Sequence, residues 1–210
     1  MSTRPIIVFD SGIGGLSIYR PLRLKLPTEN VVYITDSQNF PYGNKSPAWL
    51  RTRFRELGKQ FLVLNPKLVV LACNTATVAV ISELRTLLSC PIVGVEPIIK
   101  PLAVYHRPLA LMTSSAAHSK RTKDLIKKHG SHVELYTPCG LVEAIEYNDI
   151  TQVKKILLSL NKLVQKNKYD AIGLSCTHYS LFLEEFKKTI PNVIFLDPAG
   201  AVVKEVLRML

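Results

Sequence analysis

The sequence predicts an α/β protein of two pseudo-symmetric lobes, each a mostly parallel sheet flanked by helices, with a cleft between them. Short β-rich apolar runs alternate with longer helical patterns along the whole chain, the order that builds parallel sheets covered on both faces. The alternation is traversed twice. The ends of corresponding strands also keep register. Asp10 and Thr113 stand 103 positions apart, as do Tyr33 and Tyr136, and Cys73 and Cys176, while Glu96-Pro97 and Asp197-Pro198 stand 101 apart. Such matching offsets point to an internal duplication.

The first pass runs as follows. Ile6 to Phe9 reads as a strand, Leu16 to Leu26 as a helix and Val31 to Ile34 as a second strand. Ala48 to Leu64 has helical spacing and good helix formers, and Pro66 stops it. Leu68 to Leu71 is a third strand, Ala76 to Leu88 a helix and Ile92 to Val95 a fourth strand. In the second pass the strands are Leu109 to Met112, Val133 to Tyr136, Ala171 to Leu174 and Val193 to Leu196. The helices between them are Ser119 to His129, Asp149 to Lys166 and Leu181 to Thr189, and Ala201 to Leu210 is a last helix. The expected division is a first lobe over 1–97 and a second over 98–198, exchanging around Pro97 to Pro108. The terminal helix, 199–210, is expected to pack back on the first lobe.

With 210 residues, the chain is long enough for one large domain or two small ones, each with a core. The net charge of +11 allows nucleic acid, a membrane surface or an anionic substrate as partner. The positive residues are scattered, as in Lys120-Arg121-Thr122-Lys123, and no aromatic series runs beside them, which argues against nucleic acid. The apolar runs, such as Leu68 to Cys73, are too short for a signal-peptide core or a membrane span, so the expected location is the cytoplasm. A homodimer is left open. None of the four cysteines forms a C-x-x-C pair, which removes a zinc knuckle and a thioredoxin-type site. No metal ligand set is indicated. Cys90 and Cys139 are read as small core residues.

Cys73 and Cys176 read differently. In Val70-Leu71-Ala72-Cys73-Asn74-Thr75-Ala76 and Gly173-Leu174-Ser175-Cys176-Thr177-His178-Tyr179, a cysteine leaves a buried strand and polar donors follow at once. A cysteine there lies near a helix N-terminus, whose partial positive charge favours thiolate. Asn74, Thr75 and Thr177 add donors able to hold a carboxylate. In open parallel sheets ligands bind at the carboxyl ends of the strands, so all the register-matched strand ends are expected around one cleft. Asp10-Ser11-Gly12-Ile13-Gly14-Gly15 lacks the spacing of a dinucleotide fingerprint, and Asp10 would repel a phosphate. Its carboxylate fits better as a partner for Cys73, with capping of the next helix as its plain structural role. His178, two residues after Cys176, is a plausible acid or base partner. Pro41-Tyr42-Gly43 follows Asp36 in a loop that is otherwise an ordinary turn.

Together these strings resemble the glutamate racemase family, within the aspartate/glutamate racemase superfamily. The matches are Phe9 to Gly15, Pro41-Tyr42-Gly43, Cys73-Asn74-Thr75-Ala76, Gly94-Val95-Glu96-Pro97 and Cys176-Thr177-His178-Tyr179, in the family's order across nearly the whole chain. The resemblance implies interconversion of L- and D-glutamate without pyridoxal phosphate or metal, the D-isomer feeding peptidoglycan synthesis. It implies that Cys73 takes the α-proton from D-glutamate and Cys176 from L-glutamate, assisted by Asp10 and His178 respectively. Ser11, Tyr42, Gly43, Asn74, Thr75 and Thr177 would hold the substrate, and Glu146 is a further acidic position of the family's cleft.

The chain also departs from that pattern. The family's Thr-x-x-Thr reads Thr113-Ser114-Ser115-Ala116, which removes one hydroxyl that Ser114 or Ser115 would have to replace. The family's Gly-Cys-Thr-His-Tyr-Pro reads Ser175-Cys176-Thr177-His178-Tyr179-Ser180, and the chain stops at Leu210, where the family continues with a further strand or helix. Three alternatives stand beside the main reading: a racemase of aspartate or another small acid, a superfamily enzyme using one cysteine, and a weakened relative that only binds an acidic ligand or a partner.

Overall fold

The computed structural model describes residues 4–210; the first three positions of the expected first lobe lie outside the described residues. Two four-stranded parallel sheets form the molecule. The first is built from β1 (Ile6–Asp10), β2 (Val31–Thr35), β3 (Leu68–Leu71) and β4 (Ile92–Gly94), in spatial order β2-β1-β3-β4. The second contains β5 (Pro108–Met112), β6 (Glu134–Tyr136), β7 (Ala171–Ser175) and β8 (Ile194–Leu196), in the order β6-β5-β7-β8. The orders are the same, and so are the registers at the centre: Ile6 pairs with Leu68 in one sheet and Pro108 with Ala171 in the other. Every residue of β1, β3, β5 and β7 is buried, as central strands covered on both faces require.

The helices are α1 (Leu16–Lys25), α2 (Pro47–Leu64), α3 (Asn74–Leu87), α4 (Ile99–Leu102), α5 (Ser114–His118), α6 (Lys120–His129), α7 (Leu141–Glu146), α8 (Ile150–Asn167), α9 (Thr177–Leu181), α10 (Leu183–Thr189) and α11 (Ala199–Met209). Local chemistry sets their ends. Ser46 caps α2 by accepting from the Trp49 N–H, Pro47 occupies the first turn, and Asn65 closes the helix in the left-handed region at φ 45°. Asp149 caps α8 through the Gln152 N–H, and Lys168 ends it at φ 56°. On the first sheet, Ile7, Phe9 and Leu71 pack with Phe54, Phe61 and Val80 of α2 and α3, while Ile6, Val8 and Val70 pack with Ile18 and Leu22 of α1. The chain returns to this second face, where Ala199, Val202, Val203 and Val206 of α11 join the same cluster. In the second sheet, α7, α8 and α10 cover one face and α4 with α6 the other.

Two crossings join the sheets, one between β4 and α4 and one between β8 and α11. Glu96 and Asp197 sit there, and they correct the expectation that all the register-matched strand ends share one cleft. Both line a separate cavity of about 630 Å³ on the crossing side. Glu96 is half exposed and pairs with Arg121 of α6 at 2.5 Å, whereas Asp197 accepts from Ser180 Oγ at 3.0 Å and from the Ala199 N–H at 2.9 Å. The reason is positional: β4 and β8 are edge strands, so their ends fall outside the centre where β1, β3, β5 and β7 converge. No helix among the described residues is long and apolar enough to cross a membrane.

Candidate active site

Strand ends from both sheets meet at one buried cavity. β1 delivers Asp10 and Ser11, β3 delivers Cys73, and β7 delivers Cys176. The cavity also touches Tyr42, Gly43, Asn74, Thr75, Thr177 and His178, so every catalytic and substrate-holding residue expected from sequence lies on it. Pro41, Thr113 and Val142 complete the wall. Cys73 and Cys176 are each 6 % exposed, each the residue immediately before a helix, α3 and α9. The enclosed volume is about 10 Å³, room for about one water molecule.

On the Cys73 side stands a buried carboxyl. Asp10 accepts from the Ser11 hydroxyl and the Gly12 N–H, both at 3.3 Å, and from the Thr177 hydroxyl of the other lobe at 2.8 Å. Ser11 Oγ is 3.9 Å from the Cys73 sulfur. Burial raises the Asp10 pKa despite these donors and the charge of His178. Burial, with Asp10 next to it, also pushes the Cys73 thiol far above the ordinary thiol range. The Ala76 N–H at the start of α3 acts in the opposite sense and is outweighed. The helix terminus invoked for this thiol is therefore the smaller effect.

On the Cys176 side stands a cation. His178 Nε2 lies 2.6 Å from Glu146 Oε2, and the same carboxylate accepts from the Ile13 N–H at 2.9 Å, tying α7 of one lobe to the turn before α1 of the other. Burial alone would lower the His178 pKa; hydrogen bonds with the Cys176 sulfur and Glu146 overcome it and bring the pKa up to about 10. For Glu146, burial acts upward and is outweighed by His178 and the Ile13 N–H, so its pKa falls. The pair is thus ionic at neutral pH, with the Phe40 ring centroid 5.4 Å from that of the imidazole at a tilt of 38°.

Several side chains are already committed. Asn74 Nδ2 donates to the Val95 carbonyl at 3.2 Å, leaving its buried Oδ1 with no partner among the described residues. Thr75 and Thr113 hydroxyls meet across the lobes at 2.7 Å. Tyr42 lies against Phe9 and Phe54 and donates its hydroxyl to Asp36 at 2.5 Å, so it meets the cavity as part of a loop wall whose phenol end is engaged elsewhere. Arg53, Tyr42 and Asn39 hold the Asp36 pKa low, against the effect of its burial.

A family described as Asp/Glu/Hydantoin racemase matches residues 20–206. The chain belongs to the Asp/Glu/Hydantoin racemase family. It is 38 % identical to the glutamate racemase of Stutzerimonas stutzeri, over 97 % of this chain and 80 % of that one. Among solved structures it is similar to the Francisella tularensis glutamate racemase in complex with D-glutamate, with TM-score 0.85 and 28 % identity over 100 % of this chain and 82 % of that one. The Escherichia coli glutamate racemase, solved with L-glutamate and the activator UDP-MurNAc-ala, gives TM-score 0.82 and 28 % identity over 98 % and 82 %.

Within this racemase-family fold, two further sequence expectations change. Ala116, where the family's hydroxyl is missing, is buried in one apolar cluster with Ile98, Ile99 and Met112 and does not line the inner cavity. Ser115 does not stand in for that hydroxyl, because it donates to the Lys45 carbonyl at 3.1 Å. Cys139 is exposed instead of buried, since it sits in the surface turn after β6, an edge strand. It lines a vestibule of about 250 Å³ that shares Pro41, Gly43, Thr113 and Val142 with the inner cavity. Thr113 shows in the sequence only as a strand end, with no signal for a site role, and Val142 carries no polar group to flag it. Asp36 and Arg53 are 17 positions apart and share no motif, so nothing in the sequence joins them.

Proposed function

We propose that this chain is a glutamate racemase that interconverts L- and D-glutamate by a two-cysteine, two-base proton transfer, without a cofactor. The D-isomer would supply peptidoglycan synthesis. The observation that carries the reading is that Cys73 and Cys176, one from each sheet, line the same buried cavity. Inverting a stereocentre through a planar carbanion needs a base on one face of the α-carbon and an acid on the other, and two sulfurs delivered to one cavity by different sheets can serve as that pair.

In the L-to-D direction, Cys176 is the base and Cys73 the acid. The cationic His178 balances negative charge on the Cys176 sulfur, and the buried Cys73 keeps its proton until the carbanion forms. In the reverse direction the roles exchange, with Asp10 as the group next to Cys73. The α-ammonium of the substrate fits the unpartnered Asn74 Oδ1, and the carboxylates fit donors of the loop and helix starts around Ser11, Gly43 and Thr75. Exclusion of water strengthens each of these contacts as charge develops on the α-carbon. We also propose the lobe boundaries as 1–97 and 98–198, with 199–210 returning to the first lobe, in keeping with the packing of α11.

Cys73→Ser and Cys176→Ser, each tested alone, are expected to lower racemisation about a thousandfold or more. Because enantiomers have equal free energy in water, kcat/KM must fall equally in both directions. Wild-type turnover in either variant, followed by circular dichroism, contradicts the two-base mechanism.

A further inference from the structure

The wall formed by Pro41, Tyr42 and Gly43 has no strand ladder to fix it. It belongs to a loop between β2 and α2 that contains only two short 3-10 turns, Ser37–Asn39 and Tyr42–Asn44. Its position nevertheless matters closely. A Cβ on Gly43 would come 2.9 Å from the side chain of Thr113 in the other lobe, so the loop backbone lies directly against the opposite wall.

One buried carboxylate holds this loop. Asp36 accepts Nε and Nη2 of Arg53, each at 2.8 Å, in a bidentate pair. It also accepts the Tyr42 hydroxyl at 2.5 Å and Asn39 Nδ2 at 2.9 Å. Its own N–H donates to the Asp10 carbonyl at 3.2 Å. The Asp36 side chain is 5 % exposed, so its charge depends on these donors, unlike that of a surface ion pair. Arg53 supplies the only cation among them. It stands on α2, is held from outside by Glu56 at 2.8 Å, and does not line the cavity.

We propose that Asp36 and Arg53 are positioning residues that fix the Pro41–Gly43 wall, and with it the substrate-binding geometry, through Tyr42. This rests on the racemase reading above. Arg53 acts on binding rather than on proton transfer, since it touches the loop and neither sulfur. A planar fork satisfies both carboxylate oxygens at once; a lysine supplies one point charge and satisfies them incompletely.

The test is steady-state kinetics of the whole chain with L-glutamate, alongside thermal unfolding. Racemisation by the unaltered protein checks the underlying reading; the variants check this inference. Arg53→Met is expected to raise KM about tenfold or more with kcat changed less than about threefold, and Arg53→Lys to recover part of that loss. Tyr42→Phe keeps the ring packing and removes only the hydroxyl on Asp36; its KM is expected to rise in the same sense, and it decides the matter if Arg53→Met does not fold. Arg55→Met, which removes the same charge from the exposed face of α2, is expected to match the unaltered protein. The inference is overturned if folded Arg53→Met and Tyr42→Phe keep the original KM, or if Arg53→Met loses kcat at unchanged KM.

Discussion

Cys73 and Cys176 occupy equivalent places in two copies of one motif, yet a buried carboxyl stands beside the first and an imidazolium beside the second. The surroundings differ: burial and Asp10 push the Cys73 thiol up, whereas the residue beside Cys176 is His178, held as a cation with the Glu146 carboxylate bonded to its far nitrogen. Linkage makes the His178–Glu146 pair measurable. The folded His178 pKa of about 10 lies above its ordinary 6.5, so its contribution to stability is full below about pH 6.5 and is lost as pH rises through 10. Glu146→Gln removes the charge that helps hold the proton. It is expected to flatten the fall in unfolding free energy over that window, read by urea denaturation at several pH values; equal slopes in the two proteins would contradict the assigned pair. At this scale the sequence was informative where side-chain chemistry is distinctive, as for Asp10, Cys73, Cys176 and His178. It was silent on the Asp36–Arg53 pair, because an ion pair between a loop and a helix leaves no periodic trace.

At the scale of elements, the central strands were legible because each contains an apolar run of at least four residues, and the spacing of 103 between Cys73 and Cys176 anticipated the repeated strand order. Four helices were not. α4, α5, α7 and α9 span four to six residues, too short to show a helical period or to form without tertiary support. The helix expected over Leu181 to Thr189 is also divided, with Phe182 separating α9 from α10. The glycine-rich turn before α1 proves to be a surface for the other lobe. A Cβ on Gly14 would lie 2.6 Å from Thr177 Oγ1 and closer still to the His178 ring. Gly14→Ala is therefore expected to destabilise the protein by about 1–3 kcal/mol through overpacking and to lower kcat/KM, whereas a wild-type melting temperature and activity would show that the lobes are not packed this way.

For the whole molecule, the lobes close on the cavity through bonds that cross between them: Thr177 to Asp10, Ile13 to Glu146, Thr75 to Thr113 and Ser115 to Lys45. An inner volume of about 10 Å³ is far too small for glutamate, so binding requires these walls to part, with the vestibule lined by Pro41, Gly43, Thr113 and Val142 as the approach. The duplication made a two-lobed molecule legible from sequence. It did not reveal that the edge-strand ends, Glu96 and Asp197, would face the crossings instead of the cavity, because that depends on which strands lie at the centre of each sheet. The most direct test of the central claim, that two opposed sulfurs serve one α-carbon, is L-glutamate turnover in heavy water, with α-deuteration of both enantiomers followed at low conversion. Two bases predict D-glutamate carrying solvent deuterium while the remaining L-glutamate stays essentially protonated; D-glutamate that retains the original α-proton, or deuterium entering both enantiomers equally from the start, would contradict it.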